Sequence, residues 1–255
     1  MYETSTILFA FALTLGAGLS TGIGGAIAVA KKRPGPAFMA IALGLSAGVM
    51  LYVSFVEILP KAMESIGGWA VAGFFAGIAL ILVVDRLVPE DVNLHEPLQI
   101  QKDARSRFLK TGVFTAAAIA IHNFPEGLAT FIAGLEEPEI AVGVALAIAI
   151  HNIPEGIAVA IPLREALGSR WKAWAAATLS GLAEPLGAFV GFALLMPVMG
   201  PVALGFVFSS VAGVMVFISL DKLLPTAEVT GRHHAAIYGL IAGMAIMAVS
   251  LLLGA

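Results

Sequence analysis

The chain has 255 residues, 59% of them apolar and 12% charged, with no cysteine and a formal net charge of −3, and its mean hydropathy is +0.97. That balance excludes an ordinary soluble domain, the missing thiols exclude disulfides and thiolate metal sites, and no basic excess marks a nucleic-acid partner. The chain reads as an all-α polytopic membrane protein whose first partner is the lipid bilayer.

Uncharged runs of 27 residues (Thr4–Ala30), 23 (Pro34–Val56) and 20 (Ser65–Val84) each meet the roughly 20 residues needed to cross the hydrocarbon core as a helix. The first run has no Lys or Arg before Lys31 and is too long for a leader's apolar region, so it reads as a membrane span. Eight transmembrane helices are expected, at about 5–30, 37–60, 67–88, 111–134, 139–163, 171–196, 201–226 and 235–255. The sixth and seventh share a 36-residue uncharged stretch, Pro185–Leu220, which is too long for one crossing and is broken by Pro197, Gly200 and Pro201. Residues 89–110 form the one sizeable loop, polar and charged.

With the N-terminus outside, Lys31, Lys32, Arg33, Arg86, Lys102, Arg105, Arg107, Lys110, Arg164, Arg170, Lys172, Lys222 and Arg232 fall inside, and only Lys61 falls outside. Cytoplasmic loops carry the basic excess. The chain is therefore expected in the cell (inner) membrane with the 89–110 loop cytoplasmic and both termini on the other side. Residues 47–60, AGVMLYVSFVEILP, match 212–225, AGVMVFISLDKLLP, at seven of fourteen positions. These lie on the second and seventh spans, which run in opposite directions. Helices 1–3 and 6–8 are thus expected to form an inverted repeat around helices 4 and 5, a 3+2+3 arrangement.

A second repeat carries the chemistry. Residues 118–129, AIAIHNFPEGLA, and 147–158, AIAIHNIPEGIA, agree at ten of twelve positions. In each copy the His and Glu stack one turn apart on a helix face, with the Asn beside them. Glu126, Glu155 and Glu184 all fall within spans, where a carboxylate costs about 2.5–3.5 kcal/mol. No Lys or Arg lies deep in any span, so protons or a metal ion must offset that cost. Pro125, Pro154 and Pro185 each remove a helix N–H, freeing the carbonyls of Ile121, Ile150 and Gly181 as oxygen donors. An imidazole, carboxylate and amide set without sulfur points to Zn²⁺, Fe²⁺, Mn²⁺, Co²⁺ and similar ions.

With HNFPEGLATF on the fourth span, HNIPEGIAVA on the fifth, SGLAEPLG on the sixth and the VEILP and LDKLLP helix ends, the sequence resembles the ZIP (Zrt/Irt-like protein) family of divalent-metal transporters, in particular its bacterial ZupT-type branch. The resemblance implies uptake of Zn²⁺, and often of Fe²⁺, Mn²⁺, Co²⁺ or Cd²⁺, into the cytoplasm. The metal would be cargo, with no prosthetic group and no enzymatic activity. It also implies one metal position from His122, Glu126, His151 and Glu155 and an adjacent one from Asn123, Glu126, Asn152, Glu155 and Glu184. Some members carry Gln and Asp where this chain has His151 and Asn152, so here the second position loses a negative charge and the first gains an imidazole. A homodimer is also open to such a chain.

Other polar residues read more plainly. His95 is the one histidine of the loop, where many relatives carry several, and reads as solvated surface. Glu57, Lys61 and Glu64 read as a charged helix end anchored in the interface, with an acidic funnel as the functional alternative. Asp221 and Lys222 are expected to neutralise each other, Glu228 with His233 and His234 to mark a helix end or an exit site, and the glycine-rich stretch 16–25 to be a close-packing face. Two other classes stay open: a gated divalent-cation channel, which would use the same carboxylates, and a membrane metalloenzyme, against which the chain offers no HExxH.

Overall fold

The computed structural model describes residues 2–30, 35–87, 104–136, 138–195 and 200–254. His95 falls outside them, as do Lys31, Lys32, Arg33 and Lys102. The described residues are helical apart from short turns and ends. They form eight rods: α1 (Thr4–Ala30), α2 (Pro36–Ile66), α3 (Trp69–Leu87), α4 (Ala104–Glu136), α5 (Pro138–Leu167), α6 (Arg170–Gly181, Ala183–Val190 and Gly191–Leu195 in succession), α7 (Pro201–Val229) and α8 (His233–Gly254).

Among the described residues, α1, α2, α5, α6, α7 and α8 are long and apolar enough to cross a membrane. The other two, α3 and α4, carry the shorter apolar helices Trp69–Val83 and Glu126–Leu135. The chain is a multi-pass, all-α membrane protein. Its helices begin where the backbone is set up for them: Gly35 and Gly200 are extended N-caps, each followed by a proline at the first helical position, and the Ser169 side chain accepts from the Lys172 N–H. Gly67, Gly168 and Gly231, at φ of 59°, 62° and 73°, close three tight turns in the left-handed region.

Two boundaries correct the sequence expectation. α4 starts at Ala104 rather than near 111, so its first turns occupy the stretch read as loop. Its 33 residues span about 50 Å against a hydrocarbon core of about 30 Å, so part of the rod projects beyond the bilayer, where hydropathy gives no signal. α2 likewise continues past residue 60 to Ile66.

Among the described residues, the π-helical segments Ser54–Ile58 and Ser219–Leu223 each stop two residues before a proline, Pro60 and Pro225, and a third covers Gly191–Leu195. A proline ring clashes with the carbonyl four residues back, and the wider π turn relieves that clash. The segments in α2 and α7 fall at the same register of the repeated AGVM stretches.

The packing divides the rods into two groups. α1, α4, α5 and α6 pack chiefly on one another, while α2 pairs with α8 and with α7, and α3 with α7. Contacts between the groups run mainly from α5 to α2 and α8, with fewer from α4 to α7. Between them lies the main apolar core, with Leu43, Met50, Val211, Met215 and Met247 facing Val144, Ala147 and Ile148.

Candidate metal centre

Every described residue of the expected ligand set lies on the first group of helices. Asn123 and Glu126 project from α4, His151, Asn152 and Glu155 from α5, and Glu184 from α6, each with at most 1% exposure. His122 belongs to α4, but its side chain lies outside the described residues.

The backbone brings these helices together through the glycines of the twin motif. A Cβ on Gly127 would collide with the Glu184 backbone, and one on Gly187 with the Phe124 carbonyl, so α4 and α6 touch main chain to main chain. Gly156 meets the Thr21 carbonyl and Gly24 the Ile153 carbonyl, which holds α5 equally close to α1. Small residues at such contacts are how helices associate where lipid removes the hydrophobic drive. The glycine-rich stretch of α1 is thus a close-packing face. The Gly181 carbonyl, expected to be freed by Pro185, faces Gly18 of α1 in that same contact.

The polar atoms then pair across helices. His151 Nε2 is 3.1 Å from Glu126 Oε1, linking the two copies of the motif. The Asn152 amide donates to the Ala17 carbonyl at 2.9 Å and, in a closer contact, to Glu184. Ser46 of α2, in the second group of helices, donates to Glu155 Oε1 at 3.4 Å. Glu126 and Glu155 both lie near enough to Glu184 to act on its charge. Among the described residues, both amide atoms of Asn123, Glu126 Oε2, Asn152 Oδ1 and Glu184 Oε2 are buried without a hydrogen-bond partner.

Buried polar atoms in this state are costly, and among the described residues the three carboxylates concentrate negative charge with no arginine or lysine paired to them. Protons or a bound cation would offset that charge, and a cation would also take up the unpartnered oxygens. Among the described residues no three His, Asp or Glu side chains converge enough to hold an ion by themselves.

A cavity of about 630 Å³ reaches this centre from one end of the molecule. Glu126 is at its floor, Val53, Ala129, Thr130, Ile148 and Met215 form the walls, and Tyr2, Glu64 and Ser65 stand at the mouth. The mouth lies at the end of the helices that carries the start of α1, the end of α2 and the start of α7.

The comparison with known proteins adds the family. The profile described as "ZIP Zinc transporter" matches residues 90–251. The chain belongs to the ZIP family. It is similar to proteins named "Zinc transporter ZupT" from Corynebacterium aurimucosum, at 66% identity over 98% of this chain and 99% of the relative. The namesakes from Streptococcus mutans and Clostridium perfringens match at 55% and 49% identity over at least 96% of both chains.

As a ZIP protein the chain is a transporter rather than an enzyme. Any ion at its buried centre is cargo, not a resident cofactor. Sequence reasoning missed two contributors to that centre: the Ala17 carbonyl, which carries no side-chain signal, and Ser46. The one trace of Ser46 is that it stands just before the first AGVM copy, where Val211 precedes the second.

The remaining polar residues pair locally. Lys222 Nζ is 3.0 Å from Asp221 Oδ2, as neutralisation requires. His233 Nδ1 is 3.0 Å from Glu228 Oε1, while the His234 ring stacks on Tyr238. His233 and Glu228 are both exposed, and the His233 and His234 rings meet edge to face with centroids 5.5 Å apart.

Proposed function

We propose that this ZIP protein takes up Zn²⁺, and with it Fe²⁺, Mn²⁺, Co²⁺ or Cd²⁺, across the cytoplasmic membrane. The ion binds at the His/Asn/Glu centre of α4, α5 and α6. The observation that carries the reading is a buried set of carboxylate and amide oxygens lacking hydrogen-bond partners, with Glu126 at the floor of a cavity open to one end. His122, Glu126, His151 and Glu155 form one ion position, and Asn123, Glu126, Asn152, Glu155 and Glu184 the adjacent one. The names of the relatives support zinc as the principal cargo.

The cavity mouth lies on the non-cytoplasmic side, with both termini, and the basic residues of the opposite helix ends face the cytoplasm. The matching π segments of α2 and α7 support the 3+2+3 inverted repeat around α4 and α5. Below the centre, Ala28, Ile119, Ile157, Leu163 and Ala177 pack into a buried apolar cluster. A cavity open above and a packed cluster beneath favour a carrier over an open channel.

The ion enters from outside, exchanges water for the buried ligands, and leaves when the two helix groups rock to open the cytoplasmic side. Saturable Zn²⁺ uptake into proteoliposomes, lost in Glu126→Ala and Glu155→Ala, tests this reading. Linear, voltage-driven flux would favour the channel instead.

A further inference from the structure

Lys61 is the one basic residue that the sequence places on the non-cytoplasmic side, and the structure puts it in the mouth of the cavity. Its Nζ is 2.8 Å from Glu57 Oε1, with the Glu57 side chain 19% and the Lys61 side chain 37% exposed. Glu57 sits in the π segment of α2, and Lys61 directly follows Pro60, whose ring accounts for that segment. The charged residues among the described lining are Glu57, Lys61, Glu64 and Glu126. A cation that reaches Glu126 through this cavity therefore passes this ion pair.

A half-buried glutamate–lysine pair one helical turn apart contributes little to helix stability. In a cation pathway its electrostatic effect is larger, because apolar walls focus the field of the few charges present. A bare Glu57 would attract a divalent ion and also retain it. A lysine ammonium held against that carboxylate would compete with an arriving ion for it and, once displaced, would repel the ion onward.

We propose that Lys61 is a tethered counter-cation that competes with the transported metal for Glu57 and so sets the apparent affinity and release at the outer mouth. The proposal rests on the transport reading above and adds a specificity-determining pair outside the buried centre.

Initial rates of Zn²⁺ uptake in proteoliposomes test it, with the wild type, Lys61→Met, Lys61→Arg, Glu57→Gln and Glu126→Ala assayed side by side at equal protein. Lys61→Met should lower KM about three- to tenfold with Vmax unchanged or lower, because one opposing charge is gone from the focused field. Lys61→Arg keeps the charge and should keep the wild-type KM. Glu57→Gln leaves the lysine unopposed and should raise KM about threefold or more.

A wild-type KM in Lys61→Met, or the same shift in Lys61→Met and Lys61→Arg, would overturn the competition. Should Lys61→Met fail to accumulate in the membrane, an unchanged KM in Glu57→Gln would overturn it equally. Glu126→Ala separates the two ideas: uptake retained there sinks the transport site itself, whereas a dead Glu126→Ala beside a silent Lys61→Met sinks only the competition.

Discussion

His151 Nε2 stands 3.1 Å from Glu126 Oε1 with both side chains buried, so the histidine of the second motif copy meets the glutamate of the first. The stacking legible in the sequence is His over Glu within each helix, yet this contact joins two helices. Replacing His151 by Gln removes an imidazole from a buried carboxyl partner. That costs about 1.5–3 kcal/mol, or about ten- to a hundredfold in affinity. The KM for Zn²⁺ uptake should rise by that order with protein levels unchanged.

Asn152 donates to both the Ala17 carbonyl and Glu184. An aspartate there accepts but does not donate, and it adds a charge beside an existing carboxylate. Asn152→Asp should lower the thermal stability of the metal-free protein by about 1–3 kcal/mol and enlarge the stabilisation conferred by Zn²⁺. Melting of detergent-solubilised protein with and without zinc measures both, and an equal zinc-induced shift in wild type and variant would contradict it.

Much of this arrangement was legible because the membrane makes polarity expensive. A histidine, an asparagine and a glutamate repeated in an apolar run must be reconciled with lipid, and that alone singles out His151 and the Asn and Glu of both copies as candidates. The charged first turns of α4 from Ala104 were not legible, since they lie where a helix and a loop have the same composition. Nor was the Ser46 contact, because one hydroxyl on an apolar helix looks the same whether it bonds its own backbone or reaches another helix. Ser219 does the former, donating to the Met215 carbonyl, and Ser46 the latter.

Ser46 gives a graded test of how far the second helix group supports the centre. Its hydrogen bond to Glu155 is long, at 3.4 Å, so Ser46→Ala should cost no more than about 1 kcal/mol. Uptake should persist with KM raised about two- to fivefold. Complete loss in a stably inserted variant would show that Ser46 does more than hold Glu155.

Gly156 faces the Thr21 carbonyl too closely for any side chain. Gly156→Ala should push α5 from α1 and destabilise the protein by about 1–3 kcal/mol, visible as a lower melting temperature and reduced accumulation. The variant that does insert should retain a zinc-dependent melting shift, because glycine supplies no ligand atom.

The most direct measurement is Zn²⁺ uptake by proteoliposomes holding equal amounts of wild type, Glu126→Ala and Glu155→Ala. Transport through the buried centre requires saturable uptake in the wild type and none above empty vesicles in either variant. Wild-type uptake in both variants would place the pathway elsewhere in the protein.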